Sequence, residues 1–187
     1  MIALAMLLAA TPASDTGAAR LARAVDLYET ACLKTFPNDA GIDALMAQRG
    51  ATPLSEADVK VTLRDDPGRA WQIGEGSERL FVFLELPPYH ACSVRFMMPD
   101  AQYDLAAYRE VERRYINNAA YTDIDPLEGD QGDLHLRLVG KQRKLPGATE
   151  TLMIVDQHVT DIARRKAGDT AVSLRFVRQI KDDPSTR

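Results

Sequence analysis

Cysteine is scarce in this chain. It occurs twice in 187 residues, at Cys32 and Cys92, with no C-x-x-C spacing. That spacing marks many structural zinc sites and dithiol redox centres, so its absence disfavours both. Histidine occurs only three times, and no H-E-x-x-H pair is among them. There is no Walker loop, no G-x-G-x-x-G and no G-x-S-x-G, since GEGSE at 74–78 lacks the final glycine. The common phosphate-loop, dinucleotide and serine-hydrolase signatures are therefore missing, and no cofactor is expected. Positive charge is not in excess. The net charge is −4, with no basic stripe of the kind a nucleic-acid binder carries. No internal apolar run reaches bilayer length, so no integral membrane segment is expected after the leader.

What is present is an ordinary globular composition, 45% apolar and 27% charged, in a length suited to one domain. The opening MIALAMLLAATPAS joins an apolar run to small residues, although no Lys or Arg precedes it. It resembles a secretory signal peptide, with cleavage after Ala13 or Ala18; the alternative is a buried N-terminal helix. The expected layout is a leader over 1–18, a single α+β domain over 19–180 and a tail over 181–187.

Periodicity supplies the elements. In GAARLARAVDLYETACLKTF (17–36), Leu21, Val25, Tyr28, Cys32 and Phe36 recur at helical spacing, and Pro37 ends the run. Asn38 or Asp39 can cap a short second helix that stops at Gly50. SEADVKVTL (55–63) is ambiguous: Ser55 suggests a helix start, while Val59, Val61 and Leu63 alternate like a strand. Strands are expected at RAWQI, RLFVFLEL and HACSVRFM, followed by a helix from Asp100 to about Asn117. Further strands are expected at DLHLRLV, TETLMIVDQHV and AVSLRFVRQI. The order α-α-βββ-α-βββ predicts an antiparallel sheet of about six strands with helices on one face. It suggests a loose duplication, with no residue-level repeat evident.

Strand parity places His90, Cys92, Val94 and Phe96 on one face. Cys92 and Cys32 then both point inward, from neighbouring layers, which favours a disulfide in an exported chain. The alternative is a metal site built from Cys32, His90 and Cys92. The acidic loop YTDIDPLEGDQGD (121–133) fails the EF-hand pattern, with Leu127 in place of an acid and Glu128 in place of glycine.

If Leu134, Leu136 and Leu138 point inward, His135 and Arg137 point outward. By the same parity Arg95 and Arg175 point outward with Ser93 and Ser173. Arg95, His135, Arg137 and Arg175 are thus the candidate ligand-binding group, since guanidinium suits carboxylate or phosphate. The alternative is an ordinary solvated sheet face. Asp156 and His158 share a strand face and are the candidate pair for a hydrolytic or metal-dependent enzyme. Trp71 is read as a core anchor.

Together these features predict an exported protein, periplasmic or extracellular, that binds an envelope protein or an anionic ligand without catalysis. Intact-mass measurement of the natively expressed protein is expected to show loss of the leader and thiols that alkylate only after reduction. A full-length chain with two free thiols would overturn both expectations.

Overall fold

The computed structural model describes residues 17–87, 89–99, 103–117, 119–164 and 170–180. The leader sequence up to Thr16, Asp100 and the tail over 181–187 lie outside the described residues. Helix α1 (Gly17–Tyr28) runs on into a π-helical turn (Glu29–Thr35). The wider turn is closed by the Phe36 N–H donating to the Ala31 carbonyl at 3.0 Å, and it carries Cys32. Helix α2 (Asp39–Gln48) follows, with the Asn38 side chain accepting from the Gly41 N–H. The two-residue strand β1 (Thr52–Pro53) leads to helix α3 (Glu56–Leu63), which Ser55 caps. The ambiguous stretch is therefore helical. Val59 and Leu63, four apart, are both buried, whereas Val61 is 81% exposed; helical spacing, not alternation, describes its buried side.

Strands β2 (Gly68–Ile73), β3 (Leu80–Glu85) and β4 (Tyr89–Met98) form a meander. Helix α4 (Ala106–Ile116) starts later than expected, where the Asp104 carboxylate accepts from the Ala106 N–H at 2.9 Å. Then come β5 (Thr122–Asp123), β6 (Leu127–Gln131), β7 (Leu134–Leu145), β8 (Ala148–Val159) and β9 (Thr170–Ile180).

The nine strands among the described residues form one antiparallel sheet, ordered β1-β2-β3-β4-β9-β8-β7-β5, with β6 also paired to β7. The three strands beyond the expected six are β1, β5 and β6. Each is short and lies at a sheet edge, in stretches whose Pro, Gly and acidic content reads as loop. The sheet is two meanders joined where β4 pairs with β9.

One face forms the main core. Leu84, Cys92, Phe176 and Leu152 lie in register across four strands, and Val82, Val94, Leu174 and Ile154 form the next row. All eight are buried, against Leu21, Val25 and Tyr28 of α1, Ile42 and Met46 of α2, and Tyr108 and Val111 of α4. Trp71, on β2, is part of this cluster. Helix α3 departs from the one-face expectation. Its Val59 and Leu63 pack with Ala70 and Phe83 on the opposite face. Gly68 permits this approach, because a Cβ there would collide with Leu63 and the Leu84 carbonyl.

Cys32 and Cys92 form a disulfide, with Cα atoms 5.2 Å apart and a sequence separation of 60. It ties the π-helical turn to a central strand. On the chain-entropy model, closing a loop of this length contributes about 4 kcal/mol. The Cys32→Ala/Cys92→Ala double variant is expected to unfold at clearly lower urea, with stability lower by about that amount. An unchanged midpoint would show that the bridge adds nothing to the fold.

Candidate anion-binding face

The structure separates the residues singled out by sequence into three groups. The first surrounds the disulfide. Cys32 and Cys92 are bonded to each other, so neither sulfur is a thiolate ligand, and the Cys32–His90–Cys92 metal site does not form. His90 Nε2 instead lies 2.8 Å from Asp39 Oδ1, and its ring meets Phe36 edge-on at 4.4 Å. Among the described residues no group of three or more His, Cys, Asp or Glu side chains could hold a metal ion.

The second group lies on β7 and β8. Arg137 pairs across the ladder with Asp156, which pairs with the core residue Val172. Arg137 and His135 are therefore on the helix-bearing face, opposite Arg95 and Arg175, and the four candidates do not come together. The parity of β7 is the reverse of that inferred from its leucines. Leu134, Leu136 and Leu138 face away from α1, α2 and α4, and β7 has no buried residue on either face. A hydrophobic pattern fixes parity only where one face is buried.

Asp156 is buried and hydrogen-bonded. Its Oδ2 accepts from Tyr103 Oη at 2.9 Å and from Arg137 Nε at 2.9 Å. A matching set lies six residues along each strand: Glu150 Oε2 accepts from Arg143 Nε at 2.7 Å and Tyr121 Oη at 3.1 Å. Tyr103 and Tyr121 flank α4, so these two sets fasten both ends of that helix segment to the sheet. His135 and His158 stack with centroids 5.1 Å apart, and His135 Nδ1 lies 2.8 Å from Asp130 Oδ1.

The third group is the open face. Arg95 pairs with Ser173 and Ser93 pairs with Arg175 across the β4–β9 ladder. Arg95 Nε donates to Ser93 Oγ at 3.2 Å, and its guanidinium lies over the Phe83 ring at 4.3 Å. Both arginines converge on Glu85, Arg175 Nη2 at 2.6 Å and Arg95 Nη2 at 3.4 Å. Glu85 is 5% exposed. Burial raises its carboxyl pKa, while Arg175 and Arg95 oppose the rise. Burial, and then the like charge of Arg175, push Arg95 down to about 10, which still leaves it charged at neutral pH. The cluster opens on a cavity of about 510 Å³ lined also by Leu63, Arg64, Asp66, Phe81, Val155 and Gln157.

This cluster has an internal symmetry that inspection of periodicity missed. Ala91, Ser93, Arg95 and Phe96 recur 80 residues later as Ala171, Ser173, Arg175 and Phe176. Val94 pairs with its own counterpart Leu174, so a local two-fold passes between them. Glu85 pairs with Ala91 and Gln157 pairs with Ala171, which makes Gln157 the counterpart of Glu85. The signal A-x-S-x-R-F was present twice in the sequence; only the β4–β9 register shows that its two copies face each other. One counterpart is acidic and the other neutral, so two guanidiniums share one carboxylate.

Comparison with protein-family models, curated proteins and solved structures yields no match.

A second cavity, about 1000 Å³, lies between α4 and the β5–β7 edge. Glu112 lines it beside Tyr108, and burial holds its carboxyl above the ordinary range. A carboxyl that binds its proton more tightly when folded loses stability as pH rises through its folded pKa. Glu112→Gln is therefore expected to melt above the native protein at pH 7. The two melting curves should converge below about pH 4, where the carboxyl is protonated in both states.

Proposed function

We propose that this chain is an exported, non-enzymatic binding protein whose ligand presents an anionic group to Arg95 and Arg175. The observation that carries the reading is the convergence of two guanidiniums on one buried carboxylate at the two-fold, opposite a neutral Gln157, in a cavity that Arg64 and Asp66 also line. Planar guanidiniums offer paired donors to a carboxylate or phosphate, and a partly desolvated site strengthens each such bond. The cavity falls within the size range of small-molecule sites. Glu85 acts as the internal counter-ion, holding both arginines in place and competing with an incoming anion. The disulfide suits an oxidising compartment. No described helix is long and apolar enough to cross a membrane, which is compatible with release after export.

Titration with butanoate, followed by calorimetry or by arginine Nε shifts, tests the site. Arg175→Gln is expected to weaken binding about tenfold or more, the loss of one charge-assisted pair. Glu85→Gln keeps a hydrogen-bond acceptor and removes the competing charge, so binding should strengthen. Equal affinities in the native protein and both variants would sink the reading.

A further inference from the structure

The open face continues beyond the arginines, and its chemistry changes. In one register row Arg95 is followed by Ser173, Val155, Leu138 and Leu127. At about 4.8 Å per strand, the distance from Ser173 to Leu127 is roughly 14 Å. Leu134 and Leu136 of β7, Met153 of β8 and Val177 of β9 flank this row on the same face. All of them retain exposure: Leu127 is 51% exposed, and the rest are half-buried or exposed. Between Arg175 and the β6 edge, the described residues of this face carry one other charge, Lys144, at the far end of β7. A solvated sheet face normally alternates polar residues outward; this one presents a connected apolar surface, which marks a place of interaction.

We infer that the ligand is a free aliphatic carboxylate, its head on Arg95 and Arg175 and its chain lying over Val155, Leu138 and Leu127; this rests on the anion site proposed above. The charge distribution selects this occupant. The positive group is recessed in a small cavity and the apolar row leads away from it, which matches one anionic head and one unbranched tail. A second copy of the chain fits less well. A two-fold contact through this face would bring the arginine cluster of each copy against its own image, and like charges would be desolvated together.

Affinity for monomeric dodecanoate and for butanoate, measured on the native disulfide-bonded protein, tests the inference. Dodecanoate is expected to bind tighter by about a hundredfold or more, from burial of the added methylenes. Leu138→Asn and, independently, Val155→Asn should each lower that ratio about tenfold. Both sites are partly exposed in the sheet, and the chain-length comparison on the native protein needs neither variant. Equal binding of the two acids overturns the tail and leaves the anion site standing; binding of neither overturns both. Sedimentation with phosphatidylglycerol vesicles without uptake of monomeric dodecanoate would reassign the face to a membrane surface. A dimer that Leu138→Asn dissociates, with no dodecanoate bound, would reassign it to a second copy. Either result overturns the inference.

Discussion

The pairing of β4 with β9 is the contact on which the rest of the molecule depends. It runs from Tyr89↔Gln179 to Met98↔Thr170 and joins the two meanders into one sheet. On the helix side it sets Cys92 against Phe176 and Val94 against Leu174, which are the centre of the core. Helix α1 lies across both strands, and Tyr28 Oη donates to the Arg175 carbonyl at 3.2 Å. On the other side the same ladder sets Ser93 against Arg175 and Arg95 against Ser173. A single register thus assembles the hydrophobic centre, the seat of the disulfide and the charged cluster. Because the two strands are about 80 residues apart in the chain, this contact is non-local, and its formation closes the largest loop between any two paired strands of the sheet.

The charged cluster is a constraint as well as a site. A carboxylate as buried as Glu85 costs stability unless its partners are well placed. Two arginines hold it, one of them also braced by Ser93 and the Phe83 ring. Removing one partner from such a set leaves a buried charge short of compensation, so the residues are interdependent. The Arg137–Asp156–Tyr103 and Arg143–Glu150–Tyr121 sets on the other face follow the same logic with a different result. There each acid is held through one oxygen by an arginine and a tyrosine, and the sets serve to hold α4.

Much of the scaffold was legible in the sequence where one physical signal dominated. The helical face of Leu21, Val25 and Tyr28, the central strands, and the inward parity of Cys92 follow from period and burial. The disulfide follows from two inward cysteines on adjacent layers. The short edge strands were not legible, because two to five residues carry too little pattern to outweigh proline and glycine. The parity of β7 was not legible either. Its leucines outnumber the apolar residues of its other face, yet that other face bears the arginines that bind the buried acids Asp156 and Glu150. As a result His135 and Arg137 lie apart from Arg95 and Arg175. Glu85 and Gln157 gave no sign of their part in the cluster, since nothing in a single strand reveals which residue of another strand will lie beside it.

The sheet's two edges differ from its interior in one respect that bears on how copies of the molecule behave together. One edge is β1, two residues long and ending in Pro53, which has no N–H to offer a further strand. The other is split into β5 and β6 on either side of Asp125 and Pro126. Neither presents a continuous row of free backbone donors and acceptors. A strand from a neighbouring molecule would find edge strands of only two to five residues to pair with, so growth of the ladder from one chain to the next is disfavoured. Edges of this kind guard a broad sheet against fibril formation and strand exchange, and here they do so even though the face between them is left apolar.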